Sequence, residues 1–329
     1  MNKKDLKIVF FGTPEFAVAS LEALVSGGYN VAAVVTMPDK ASGRGLHLTM
    51  SPVKQYALEH NIPVLQPEKL KDESFVGQLR GIGAQLFIVI AFRMLPEVVW
   101  TMPEMGTFNL HGSLLPKYRG AAPINRAIMN GEKYTGVTTF MLKHEIDTGD
   151  VLAQERIEVG ADENVGSVYD RLMAIGARLT VETVDHLLVG DLKAVPQSEL
   201  MDGEPCPAPK IFKEDCRIDW SRDVLSIHNH VRGLSPYPAA WTEMTLGDKS
   251  SSTTVSVKVL ATRVPADAVG SEPMEPGTLA IIGKKAFAAC GRGFVELVEV
   301  QPAGKRPMAA IDYLRGLRIG ENGRKPRFI

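Results

Sequence analysis

Through the first half of the chain, short apolar runs of strand length alternate with stretches of helical spacing. Leu6–Phe11 reads as a strand that stops at the Gly12-Thr13-Pro14 turn, and Asn30–Thr36 is a second strand. The unbroken apolar character of these runs predicts a parallel sheet buried on both faces. Further strands are predicted at Ile62–Leu65, Gln85–Ala91, Thr107–His111 and Gly136–Leu142. Between them fall helices at Glu15–Ser26, ended by Gly27-Gly28, at Pro52–His60 and at Ala122–Asn130. Ser51 is suited to cap the second of these and Pro52 to open it. Met37–Met50 reads as a polar loop. Val165, Val168, Leu172, Ile175 and Leu179 recur at helical spacing, so Asn164–Val189 is predicted as one long amphipathic helix. Strands alternating with helices imply right-handed crossovers and a doubly wound α/β fold.

The pattern changes after residue 189. Pro196, Pro205, Pro207 and Pro209 disfavour helix and predict an extended connector over 190–209. A short helix near Arg222–Val231 follows. Val255, Val257 and Val259 then alternate with Ser256 and Lys258, which is strand periodicity. Gly291-Arg292-Gly293 separates two more apolar runs as a hairpin turn. Residues 1–189 are thus expected to form one domain and 210–329 a smaller β-barrel domain, a division that a 329-residue chain favours over a single core.

A content of 45% hydrophobic and 23% charged residues is that of an ordinary soluble globular protein. Three cysteines, odd in number and without CxxC spacing, indicate neither a disulfide framework nor a zinc knuckle, and no metal is expected. No signal-peptide core or membrane-length apolar segment is seen, so a cytoplasmic protein is expected, and it is taken to be a monomer. The net charge of −1 hides an asymmetry: residues 206–329 carry +5 and residues 1–205 carry −6. A basic second domain on an acidic body suits a polyanionic partner.

Chemistry concentrates at strand ends. The Gly12-Thr13-Pro14 turn lacks GxGxxG, and Pro14 removes a phosphate-cradling donor, which disfavours a nicotinamide dinucleotide. Asn109 and His111, two apart, leave one strand on the same face, at the carboxyl end where open α/β sheets bind ligands. Gly112-Ser113-Leu114-Leu115-Pro116 turns the chain next to them. Asp147-Thr148-Gly149 then places a carboxylate on a tight turn after the following strand; His144, in a charged run, reads as solvated. Together these residues suit attack of an amine on a formyl or acyl carbon. The amide and the ring would stabilise the developing oxyanion, and Asp147 would take the proton, relay it or orient the ring. Lys40 and Arg44, in the glycine-rich Pro38–Gly45 loop, are candidates for phosphate contacts.

These motifs, with Lys117–Ile124 and Gln301-Pro302-Ala303-Gly304-Lys305-Arg306, resemble the methionyl-tRNA formyltransferase family of formyltetrahydrofolate-dependent transferases, from about Leu6 to Leu314. The resemblance implies a Rossmann-like, mostly parallel sheet followed by an OB-like barrel. It implies 10-formyltetrahydrofolate as donor and the methionine α-amine of charged initiator tRNA as acceptor. Carried over by residue, Asn109, His111 and Asp147 are catalytic. Ser113, Leu114, Leu115 and Pro116 line the folate side, and Arg44 reaches the acceptor arm; Lys305 and Arg306 are tRNA candidates in the barrel. One stretch departs from the pattern: Phe92-Arg93 stands where many members have Tyr-Gly. Formyl transfer to an amino group of a nucleotide sugar is the alternative within the same chemistry. A non-catalytic RNA-binding protein on this fold is the alternative of another class.

Overall fold

A computed structural model describes residues 2–42, 47–201, 203, 206–248, 251–266, 274–317 and 327–329. The chain divides into two compact units that interleave along the sequence. One comprises Met1–Pro123, Thr135–Ile157 and Tyr169–Ala208; the other comprises Ile124–Tyr134, Glu158–Val168 and Pro209–Ile329.

In chain order the first elements are β1 (Lys7–Gly12), α1 (Glu15–Ser26), β2 (Asn30–Val35), β3 (Lys40–Ser42), β4 (His47–Thr49) and α2 (Pro52–Glu59). They continue with β5 (Val64–Leu65), α3 (Glu73–Ile82), β6 (Leu86–Ile90), α4 (Glu97–Trp100), β7 (Thr107–His111) and β8 (Arg119–Gly120). After α5 (Pro123–Met129) come β9 (Tyr134–Met141), β10 (Val151–Glu158), α6 (Val165–Val189) and β11 (Pro207–Ala208). The main sheet has the order β10-β9-β7-β6-β1-β2-β5. Its five strands from β5 to β7 are parallel, and β9 runs antiparallel to β7. The chain builds outward from β1 to β5, then returns to β6 on the other side of β1, which is the doubly wound reversal. Ile8, Val9, Phe10 and Phe11 are all fully buried, so both faces of the sheet are covered. On one face Val9, Phe11 and Val89 pack with Phe75, Val76 and Leu79 of α3.

Local signals hold where they are strong. Ser51 accepts a hydrogen bond from Lys54 N at the start of α2, with Pro52 in the first turn. Three segments differ from expectation. The polar stretch 37–50 contains the antiparallel pair β3–β4, whose register pairs Lys40 with Thr49; Arg44 lies outside the described residues. β10 is an edge strand without a readable strand pattern because Gln154, Glu155 and Arg156 follow one another in it and break the alternation. The connector is extended but pinned: Val195 and Val151 exchange backbone hydrogen bonds, and β11 pairs in parallel with β8. Its prolines lack a donor, yet their neighbours' groups complete the ladder. Pro205 lies outside the described residues.

The second unit contains α7 (Val224–Leu234), β12 (Ala240–Asp248), β13 (Ser251–Arg263), β14 (Leu279–Ile282), β15 (Lys285–Ala289), β16 (Phe294–Pro302), β17 (Met308–Ala309), α8 (Ala310–Gly316) and β18 (Arg327–Phe328). Its antiparallel sheet follows the order β14-β15-β16-β13-β12-β18. A bridge from Thr278 to Arg327 and the hydrogen bond from Phe328 N to Gly277 O join the two ends, so the sheet closes into a barrel. Closure removes exposed strand edges. Val257, Val259, Val295, Leu297 and Val300 fill the interior, and Trp220 stacks on Phe328. Asp223 caps α7 by accepting from Ser226 N at 2.9 Å. The expected α/β domain with a mostly parallel sheet and the smaller β domain are both present.

Candidate active site

The site is assembled at the carboxyl end of β7, inside the first unit. Asn109 sits between Val89 and Phe140 in register, half-buried. Among the described residues its side-chain amide makes no hydrogen bond, which leaves a donor free at the ligand end of the sheet. His111 is 7% exposed, with the Phe140 ring edge-on to it at 6.3 Å. Its Nε2 lies 2.8 Å from Tyr118 O. A carbonyl can only accept, so this partner assigns the proton of the neutral ring to Nε2. Nδ1 then carries a lone pair, and it faces Asp147 Oδ2 at 3.9 Å. Burial pushes the His111 pKa below its ordinary value, while the Asp147 charge and the Tyr118 carbonyl oppose that fall. The resting ring is therefore neutral at pH 7, with an acceptor beside each nitrogen.

Asp147 lies in the turn between β9 and β10 at φ +55°, a left-handed conformation that Asp tolerates better than most residues. Its carboxylate accepts from Gly120 N at 2.9 Å. Gly149, two residues on, has no room for a side chain: a Cβ would lie 1.5 Å from Met141 O. Gln197 Nε2 donates to Asp147 O at 2.9 Å and to Gly149 O at 2.8 Å, and Gln197 Oε1 accepts from Arg119 Nε and Nη2.

The Ser113–Pro116 loop is rigid for a visible reason. Ser113 is fully buried and its hydroxyl donates to Lys117 O at 2.7 Å. Thr138 Oγ1 donates to Ser113 O and accepts from Leu115 N and Gln154 Nε2, while Gln154 Nε2 also reaches Leu115 O. Leu115 packs with Phe140 and Val151. Of the four residues expected along the folate side, Ser113, Leu115 and Pro116 are buried in the loop's own packing, and Leu114 is half-buried.

The departing stretch is also resolved. Phe92 packs on Phe11 with ring centroids 5.8 Å apart. Arg93 donates through Nη1 to Glu68 O at 2.7 Å and through Nη2 to Pro67 O. Lys40 is exposed at the start of the β3–β4 hairpin, below which Lys54 and Gln66 hold the Asp39 carboxylate. In the second unit Lys305 and Arg306 are exposed in the turn between β16 and β17, and His144 is exposed in the first. Among the described residues no group of three or more His, Cys, Asp or Glu could hold a metal ion, and no helix is long and apolar enough to cross a membrane. Sequence reasoning missed Tyr118, Gly120, Thr138, Gln154 and Gln197. Their parts depend on contacts across up to 78 residues, which no spacing rule encodes.

Residues 6–184 match the family described as formyl transferase, and residues 210–318 match the formyl transferase C-terminal domain. The methionyl-tRNA formyltransferase of Bacteroides fragilis is 52% identical over 324 residues, 98% of each chain. That of Parabacteroides distasonis is 53% identical, covering 97% of this chain and 98% of its own. Among solved structures, a sugar 3N-formyl transferase crystallised with dTDP and 5-N-formyl-THF aligns at TM-score 0.64 and 17% identity, over 92% of this chain and 99% of that one. At that identity the likeness speaks for the fold. Matched in both halves by one family, and sharing about half its residues over nearly its full length with these relatives, the chain belongs to the formyl transferase family, among the methionyl-tRNA formyltransferases.

Proposed function

We infer that this chain transfers the formyl group of 10-formyltetrahydrofolate to the α-amine of methionine on charged initiator tRNA. The acceptor follows from the relatives that match nearly the whole chain at 52–53% identity, all named for that reaction. The chemistry is supported by one observation: Asn109 and the buried His111 lie two residues apart at the carboxyl end of β7, and the Asp147 carboxylate in the turn after β9 faces that ring.

In this reading Asn109 donates to the formyl oxygen as the amine adds and that oxygen gains charge. His111 Nδ1 accepts the proton the amine loses. The charged ring then has Tyr118 O on one side and Asp147 on the other, two acceptors that offset part of what its burial costs. As the carbon–nitrogen bond to the folate breaks, His111 returns the proton to the departing nitrogen, and atoms and charge balance without a covalent enzyme adduct. The buried Ser113–Pro116 loop supports the folate side from behind, with Leu114 its most accessible member. Lys40 and Arg44 in the first unit, and Lys305 and Arg306 in the second, are the cations proposed to meet tRNA phosphates. A cytoplasmic monomer with residues 1–189 as the catalytic part accords with this assignment.

The test is an acceptor assay with radiolabelled 10-formyltetrahydrofolate. Label is expected on methionyl initiator tRNA and not on amino sugars or their nucleotides. Robust labelling of an amino sugar with none on the tRNA overturns the reading.

A further inference from the structure

The connector after α6 is expected from sequence to be a spacer, yet it places a fully used amide against the turn that carries Asp147. Gln197 is 3% exposed and sits at the start of a short 3-10 turn. Both donors of its side-chain nitrogen go to backbone carbonyls of one turn, Asp147 O and Gly149 O. Both acceptor positions of its oxygen go to one guanidinium, Arg119 Nε at 3.0 Å and Nη2 at 2.7 Å. An amide in which every donor and acceptor position is spent, at four good distances, defines its neighbours' positions and not only its own.

Those neighbours are the two flanks of His111. Arg119 lies between Tyr118, whose carbonyl takes the Nε2 proton, and Gly120, whose N–H holds the Asp147 carboxylate. The Asp147 turn supplies the carboxylate facing Nδ1. Asp147 adopts a left-handed backbone at φ +55°, and such a conformation persists where surrounding contacts over-determine it. The connector closes the same arrangement a second time, since Cys206 O accepts from Tyr118 N and Ala208 O accepts from Ala122 N. We propose that Gln197 is a positioning residue for formyl transfer: from the connector it locks the Asp147–Gly149 turn to the Arg119 strand and so sets the separation between the Asp147 carboxylate and His111. This rests on the catalytic reading of His111 and Asp147 given above. It extends that reading to a residue that touches neither substrate.

The experiment compares Gln197→Glu and Gln197→Met with the full-length wild type and with Asp147→Asn, measuring kcat and KM for both substrates and the pH profile of kcat. The ionised glutamate keeps both bonds from Arg119 but sets an acceptor oxygen where the donor to the two carbonyls stood, so the turn is released and repelled while the fold keeps an added ion pair. Methionine removes all four bonds at similar length. The expected result for both variants is a kcat about 30- to 100-fold lower, KM within about threefold of wild type, and a shifted acidic limb of the profile, in line with the cost of small misplacements of reacting groups. Gln197→Glu acting at the wild-type rate with an unmoved pH limb overturns the proposal, since the carbonyl tie would then be dispensable. A loss in either variant that appears in KM alone overturns it as well, because the residue would then serve binding. Asp147→Asn separates the two levels: if it keeps full turnover, the catalytic reading itself fails, whatever Gln197 does.

Discussion

At the scale of single residues, His111 carries the most information. Its ring has a carbonyl at one nitrogen and a carboxylate at the other, and burial keeps it neutral before substrate arrives. A neutral base buried in this way has a pKa below about 6.5, its ordinary value. The kcat/KM of formyl transfer is therefore expected to show, besides the limb set by the acceptor's own α-amine, a second acidic limb below 6.5, where protonated His111 has no lone pair to offer. Asp147→Asn removes the charge that opposes that fall, so the acidic limb moves to still lower pH while turnover drops by about 10²–10⁴. A wild-type profile whose only acidic limb is that of the amine, unchanged in Asp147→Asn, would contradict the assignment. His111→Ala is expected to lose turnover similarly while leaving tRNA affinity within a few-fold, checked by filter binding, because its work is on developing charge. Sequence made these side chains candidates, since Asn109 and His111 share a strand face by period two alone. It did not indicate the tautomer, which Tyr118 O decides from seven residues away.

At the scale of elements, the turn between β9 and β10 is the part that tolerates least. Met141 O occupies the space a Gly149 side chain would need, and Gln197 grips the carbonyls on either side of Thr148. Gly149→Ala must push the end of β9 away from the turn. It is expected to lower stability by more than about 1 kcal/mol and to reduce kcat together with it, read by thermal unfolding beside the formyl-transfer assay. An unfolding midpoint equal to wild type would show that the turn relaxes without cost. Elements with strong local signatures were legible: the Ser51 cap with Pro52, the Thr107–His111 strand and the long α6 helix agree with expectation to within a residue or so. β10 and the connector were not. In β10 the consecutive Gln154, Glu155 and Arg156 interrupt the alternation that marks a strand, and a proline-rich segment looks like a spacer until its carbonyls find partners on β8.

At the scale of the whole molecule, burial of ionisable groups sets the response to acid. His111, His228 and His230 all have pKa values lowered chiefly by desolvation. In the unfolded chain these rings titrate near 6.5, so between their folded values and that point the unfolded state binds more protons than the folded one. Stability is then expected to rise with pH across that window, and acidification from pH 7 toward pH 5 lowers the unfolding midpoint. Differential scanning calorimetry across that range checks it; a midpoint that rises on acidification would contradict the burial argument. Family membership also belongs to this scale, because the proposed trio of Asn109, His111 and Asp147 alone suits formyl transfer to many amines. The match through both units, over nearly the full length, is what selects methionyl-tRNA.

The sequence by itself determined the α/β fold followed by an antiparallel β domain, and it pointed to Asn109, His111 and Asp147 as candidates. Period, proline and glycine placement and strand-face alternation are properties of neighbouring residues, and they need no long-range contact to be read. Only the tertiary structure decided what holds those residues. Tyr118, Gly120 and Gln197 act through backbone groups or through partners far away in the chain, and hydrogen bonds between distant segments leave no local pattern. The same reason turned the connector from a spacer into part of the site: its contribution lies in where Gln197 and β11 arrive, and that is settled by packing.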